Sequence, residues 1–235
     1  MRMPLIAVVV ASALILAASY GVEHATAAQA KPDRLKTVLA QMDVGSAKFH
    51  SAEASIQKQQ FEKIVNDTTT ESGSIYFQRI GGAIQMGAKF DPPNAQILEY
   101  KDGTLTIYTA STNQLKTYSS GKNQALAQTI LALGFGGSGH DLVANWDISD
   151  LGSEQMSDGS MSVTVEKLDL RSRDETVRNS YTHITIWVDL ARDISLKQVG
   201  FTPSGDTDTT IYSNLHLNQP IDLKPFAIKC KGKCS

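Results

Sequence analysis

The chain has 235 residues, of which 41% are hydrophobic and 20% charged, with a formal net charge of -2. That length supplies one sizeable core, close to the upper range of a single β-rich domain. A near-neutral chain with no long run of like charge lacks the footprint of a nucleic-acid binder or of a purely electrostatic membrane ligand.

At the N-terminus Arg2 precedes an uncharged apolar run, Leu5 to Ala18, and small residues continue through Ala30. This pattern reads as a secretory signal peptide, with Ala25-Thr26-Ala27 or Ala28-Gln29-Ala30 as the cleavage pattern. The run is shorter than the roughly 20 residues a bilayer-spanning helix needs, and an uncleaved anchor is the competing reading. The expected division is residues 1–30 as signal and residues 31–235 as one exported domain.

Behind Pro32 and Asp33, the residues Leu35, Val38, Leu39 and Met42 fall on one helical face and predict an amphipathic helix that ends near Gly45. From Ser51 the texture changes to short segments rich in β-branched and aromatic residues. Strands are predicted over 54–65, 73–79, 84–90, 95–101, 105–108 and 114–118, with a polar connection over 66–70 and a break at Pro92-Pro93. Asp102-Gly103 is the strongest hairpin signal, because both turn positions of a type I′ turn need φ > 0.

Helical periodicity then interrupts the strands. Leu126, Ile130 and Leu133 share a face, a glycine-rich break runs from Gly134 to Gly139, and a short helix is predicted over 141–146. Strands resume over 161–170, 183–189, 194–201 and 209–217. No alternation of strand and helix suggests a parallel doubly wound sheet. The predicted class is mainly β, a curved antiparallel half-open barrel, with the N-terminal helix and the mid-chain helical insertion available to cover its concave face.

Gly134-Phe135-Gly136-Gly137-Ser138-Gly139 has the letters of a dinucleotide fingerprint but follows a helical stretch instead of a strand. A flexible hinge between two lid segments is the preferred reading. Ser138 beside His140 and Asp141 suggests a secreted serine hydrolase as a rival function, although the strand-turn-helix context of a nucleophile elbow is missing. His24, His50, His183 and His216 are scattered without metal-ligand spacing, so no metal and no cofactor are expected. Along Gly73 to Arg79 strand alternation puts Ile75, Phe77 and Arg79 on one face. If that face is concave, the guanidinium needs carbonyl or carboxylate partners; if not, it ends the strand in solvent. Cys230 and Cys234 lie near the C-terminus, and a small local disulfide between them is expected, with free thiols or an interchain pair as the alternatives.

Taken together, Gly73-Ser74-Ile75-Tyr76-Phe77-Gln78-Arg79, Pro93, the hairpin Tyr100 to Tyr108 around Asp102-Gly103, and Asn113-Gln114 resemble the LolA-like periplasmic lipoprotein carriers. Sequence-specific support spans Gly73 to Tyr118, and the order of elements agrees over Ala54 to Ile228. Ile80 stands where the best-known members have proline, and the terminal cysteines are outside the pattern.

The resemblance implies a periplasmic protein, not an enzyme, that binds the acyl chains of a lipoprotein or related lipid in an apolar cavity. It further implies transfer as a monomer from an inner-membrane ABC exporter of the lipoprotein-release type toward an outer-membrane acceptor, with no nucleic-acid partner. A lipid-sensing regulatory module of the same fold is the alternative. In the family the strand-end arginine bonds lid carbonyls, a gating role that falls by position to Arg79. The expected cavity wall is Ile75, Phe77, Ile84, Met86, Ile97, Leu105 and Ile107. The expected lid is Leu35, Leu39, Met42, Leu126, Ile130 and Leu133. An ordinary filled core is the alternative for each of these residues.

Overall fold

A computed structural model of the chain describes residues 26–121, 124–159 and 161–232. The apolar run read as an export signal, His24 and Cys234 lie outside the described residues. No helix among the described residues is long and apolar enough to cross a membrane.

Helix α1 (Thr26–Lys48) begins inside the stretch where cleavage is expected and runs one turn past the predicted end. Six strands follow as a meander: β1 (Ser51–Glu62), β2 (Asp67–Ile80), β3 (Ala83–Phe90), β4 (Gln96–Lys101), β5 (Thr104–Thr109) and β6 (Gln114–Ser119). Helices α2 (Gln124–Ala132) and α3 (Gly139–Asn145) come next. The chain continues through β7 (Trp146–Ser157), β8 (Ser162–Ser172), α4 (Glu175–Ser180), β9 (His183–Asp189), β10 (Ile194–Phe201) and β11 (Thr207–Leu217), and a short 3-10 turn covers Lys224–Phe226.

All the strands lie in one antiparallel sheet of order β6-β5-β4-β3-β2-β1-β11-β10-β9-β8-β7. The edge strands β6 and β7 do not pair, so the sheet is an unclosed barrel. Because α2 and α3 link those two edges, the connection must pass from one wing of the sheet to the other. The turn residues Asp102 and Gly103 have φ of 50° and 74°, the left-handed pair the hairpin signal demands.

Three elements depart from the expectations: the short helix α4, which was not foreseen, the start of β2, and β7. The polar stretch predicted as a connection contributes Asp67 to Thr70 to the start of β2, paired with Glu62 to Gln59 of β1. Strand β7 was not foreseen, because its sequence carries Gly152 and many exposed polar residues; it is held by pairing with β8 along nearly its whole length. A bulge between Asp150 and Gly152 breaks the apolar alternation that would have announced it.

Two buried clusters form the core. In the first, Ile75 and Phe77 of β2 and Ile84 of β3 meet Phe135, Leu196 and Tyr212. Phe135 is fully buried, stacked on Phe77 at 4.1 Å between centroids and edge-on to Tyr212 at 4.9 Å. The second cluster packs Val38 and Met42 of α1, Leu133, and Leu142 of α3 against Leu168, Leu170, Ile184, Ile186 and Val188. Arg34 ties α1 to the same wing through Asp150 at 2.6 Å and through Glu166. The C-terminal tail crosses the opposite face of the sheet, where Phe226 packs edge-on against Tyr76 at 4.8 Å and Lys231 exchanges backbone hydrogen bonds with the Asn113 side chain at 2.9 and 3.2 Å.

Candidate functional site

Arg79 closes the apolar face of β2, and the register carries it directly beneath the junction of α1 and the α2–α3 loop. Its Nη1 donates to the Ser46 carbonyl at 2.7 Å and its Nη2 to the Gly136 carbonyl at 2.5 Å. Ser46 Oγ also donates to the Gly136 carbonyl at 2.7 Å. Three elements distant in sequence are thus joined at one guanidinium. The carbonyl of Ser46 belongs to the last turn of α1, where unsatisfied carbonyls and the helix dipole favour a cation. The Phe49 ring, 5.7 Å from the guanidinium carbon, covers another side of it. These contacts resolve the two readings of Arg79: it is partly buried and bonded to carbonyls.

Gly136 has φ of +73°, and a β-carbon there would stand 2.5 Å from Phe49 and 2.8 Å from Arg79. Gly139 lets α3 approach α1, since a β-carbon on it would lie 2.2 Å from the Leu39 carbonyl oxygen. The glycine run is therefore not a slack hinge. It is a buried, pinned segment whose glycines permit close approach.

Asp193 stands beside this junction, in the turn between β9 and β10. It is 5% exposed, abuts Gly45, and neither carboxylate oxygen has a hydrogen-bond partner. Burial, and secondarily the neighbouring Asp43, raise its pKa to about 7 against the opposing charge of Arg79.

Between α2 and the β3–β6 wing lies an apolar cavity of about 400 Å³. Its walls are Met86 of β3, Leu98 and Tyr100 of β4, Leu105 of β5 and Tyr118 of β6. Ala127, Ile130 and Leu131 of α2 close it, and Ser119 and Ser120 stand at its edge. Tyr118 and Ile130 are 52% and 39% exposed, so the cavity opens to solvent beside α2. Strand register explains the wall, because Met86 pairs with Tyr100 and Tyr100 with Leu105, which puts their side chains on one face.

Of the expected wall residues, Met86 and Leu105 line this cavity. Ile107 shares their face, opposite Leu98, but lies beyond the lining. Ile75 and Phe77 are corrected to filled core, since Phe135 and its neighbours pack over them. Ile84 is buried in the same cluster and lines the groove on the other side of α2 instead of this cavity. Ile97 is corrected outright: it pairs with Lys89 and Tyr108 on the other face of the sheet. Of the expected lid, Ile130 covers the cavity and Leu126 lies in α2 with a side chain outside the described residues. Met42 and Leu133 are buried in the second cluster, with Leu35 and Leu39 packed against it, so these four are core between α1 and β8–β9. Sequence reasoning missed Ser46, Gln128 and Asp193 and, in the cavity wall, Leu98, Tyr100, Tyr118, Ala127 and Leu131. Alternation of Leu98 with Tyr100 was a signal for the wall, and the glycine run drew attention to Gly136 but not to its contact with Arg79.

The carboxamide of Gln128 in α2 accepts from the Ile84 N–H at 2.8 Å and donates to the Ile84 carbonyl at 3.0 Å. On that side of α2 a groove of about 310 Å³ has a mixed lining, with Arg79, Gln128, Ser138, Asp141 and Asn145 beside Ile84, Leu133 and Leu142. Ser138 Oγ caps α3 by accepting the Asp141 backbone N–H at 3.0 Å, and His140 directs its own N–H to Asp43 at 2.9 Å. The contacts of Ser138, His140 and Asp141 with their surroundings are thus those of a helix start. His183 bonds Asp169 at 2.7 Å and stacks on Phe201. Among the described residues no group of His, Cys, Asp and Glu side chains is spaced to hold a metal ion. Cys230 is disulfide-bonded.

These features define a class: an unclosed antiparallel barrel with helices across its mouth and an apolar recess beneath one of them. The same fold occurs in MucB, which aligns at 11% identity and a TM-score of 0.51 over 86% of this chain and 64% of MucB. It also occurs in an uncharacterized conserved protein from Thermus thermophilus, at 11% identity and a TM-score of 0.50 over 83% of this chain and 94% of that one. This chain spans just under two thirds of MucB. A LolA superfamily protein from Nitrosomonas europaea aligns over 83% of this chain and 97% of its own at 14% identity and a TM-score of 0.39. No protein-family model and no curated protein sequence matches the chain. The likenesses are of fold alone.

Proposed function

We propose that this protein is a periplasmic carrier that holds acyl chains of a lipoprotein or related lipid in the cavity under α2. Residues 1–30 would act as its export signal and residues 31–235 as the carrier domain. The observation that carries the reading is the apolar cavity of about 400 Å³ between α2 and β3–β6. Burial of each methylene stabilises a bound chain by about 0.8 kcal/mol, enough to keep a long chain out of water without covalent chemistry. Release then requires α2 to move or a partner to compete. The Arg79 junction, which joins the strand to both helical segments, is suited to set that balance. In this reading an inner-membrane ABC exporter supplies cargo, an outer-membrane acceptor receives it, and the carrier works as a monomer by binding rather than turnover.

Native mass spectrometry of the protein purified from its own compartment tests the reading. A mass increment matching an acylated species supports it. Protein that stays ligand-free and also rejects a fluorescent acyl probe would end it.

A second reading is a lipid-sensing regulatory module of the same fold, in which occupancy of the cavity controls a protein contact. A pull-down in which lipid loading abolishes or creates binding to one partner distinguishes it from a carrier.

A further inference from the structure

Resting on the carrier reading, we infer that the carboxamide of Gln128 occupies, in the empty protein, the position that the linkage amide of an N-acylated cargo takes on the edge of β3. Strand β4 pairs with β3 only from Met86 onward, opposite Tyr100. Ile84, nearer the start of β3, is paired with Arg79 on one side but has no strand on the other. Its N–H and C=O on that free side meet one group, the Gln128 amide, which returns both bonds. A primary carboxamide here reproduces the donor and acceptor of a peptide unit, so it fills a one-residue gap at the sheet edge.

The surroundings fit an acyl amide. Met86, two residues along the same strand and on the same face as Ile84, is the first wall residue of the apolar cavity. Across α2 lies the mixed groove, where Ser138, Asp141 and Asn145 supply polar groups beside Leu133 and Leu142. An amide seated on Ile84 therefore has a place for an acyl chain on one side and for a polar peptide on the other. An ester offers no donor to the Ile84 carbonyl, and leaving that buried acceptor unpaired disfavours it. Displacing Gln128 also frees α2 from β3, so binding of the amide and opening of the partition between cavity and groove are one event.

The test compares two probes of equal chain length, N-palmitoyl-glycine methylamide and methyl palmitate, on the full exported protein and on Gln128→Met. Methionine keeps length and helix propensity but removes both hydrogen bonds. Wild-type protein should bind the amide about tenfold more tightly than the ester, the worth of one buried hydrogen bond. The side-chain NH2 resonances of Gln128 should shift when the amide probe displaces it and stay in place with the ester, which cannot replace the bond Gln128 donates to the Ile84 carbonyl. Gln128→Met should bind both probes more tightly by removing the internal competitor, and retain the preference. Equal affinity for the two probes, or Gln128 resonances indifferent to which is bound, overturns the assignment while the carrier reading stands. Failure of both probes to bind either protein overturns the carrier reading and this assignment with it.

Discussion

Arg79 reaches across from the end of β2 to the carbonyl of Gly136, 2.5 Å away, and so fastens the loop between the two lid helices to the barrel. The same side chain holds Ser46 at the end of α1, which makes one guanidinium the meeting point of both helical segments.

Replacing it tests the gate. Arg79→Leu should leave the far-UV circular dichroism of the sheet unchanged, because the first core cluster does not depend on the guanidinium. Loss of charge-assisted bonds worth about 1.5–3 kcal/mol each should favour the open lid and raise the rate of acyl-probe uptake by about tenfold or more. Stopped-flow fluorescence measures it; an unchanged uptake and release rate would remove Arg79 from the mechanism.

Filling the cavity tests its use. Ala127→Phe directs a ring from α2 toward Met86 and Leu98, into space that is empty. Stability should change by no more than about 1–3 kcal/mol, the usual cost of added bulk, while probe binding falls below detection. Full retention of probe affinity would move the acyl site elsewhere.

Asp193 predicts a pH dependence. Its folded-state pKa of about 7 lies above the ordinary value of 3.8, so the folded protein binds this proton more tightly than the unfolded chain. The stabilisation is complete below pH 3.8 and is lost as pH rises through 7. Asp193→Asn keeps the shape and tolerates the left-handed φ of 51° at this position. It should raise stability at pH 8 by about 1–3 kcal/mol and flatten the decline between acid and neutral pH, as read by denaturant titration. A variant that declines in parallel with the wild type would assign the dependence to another group.

Gly136→Ala tests whether the loop is pinned or slack. A β-carbon at φ of +73°, 2.5 Å from Phe49, should destabilise the protein by about 1–3 kcal/mol and weaken the Arg79 contact. Thermal unfolding of Gly136→Ala beside Gly82→Ala, whose β-carbon meets nothing within 4 Å, separates the clash from the cost of a positive φ alone. Equal losses in the two variants would mean that the loop yields freely.

Much of the fold was legible in the residues. The Asp102-Gly103 turn, the strands β2 to β5 and β8 to β11, and the helical interruption at α2 all follow from signals that act over a few residues: periodicity, turn chemistry and β-branching. Strand β7 was not legible, because pairing with β8 rather than its own composition makes it a strand. Ile97 was read onto the cavity face from its hydrophobicity, yet its alternation partner Leu98 is the one that points there.

From the sequence alone came the antiparallel class, the helical segments placed between two runs of strands, and an arginine at the end of an apolar strand face. Tertiary structure alone decided which apolar residues enclose space and which fill it. Leu35, Leu39, Met42 and Leu133 read as a lid but pack as core, while Leu98 and Tyr100 line the cavity. Contacts such as Gly45 with Asp193, or Gln128 with Ile84, join residues distant along the chain. Local signals carry no information about such meetings, since they are set by strand order and by the path of α2 and α3 between the two open edges of the sheet.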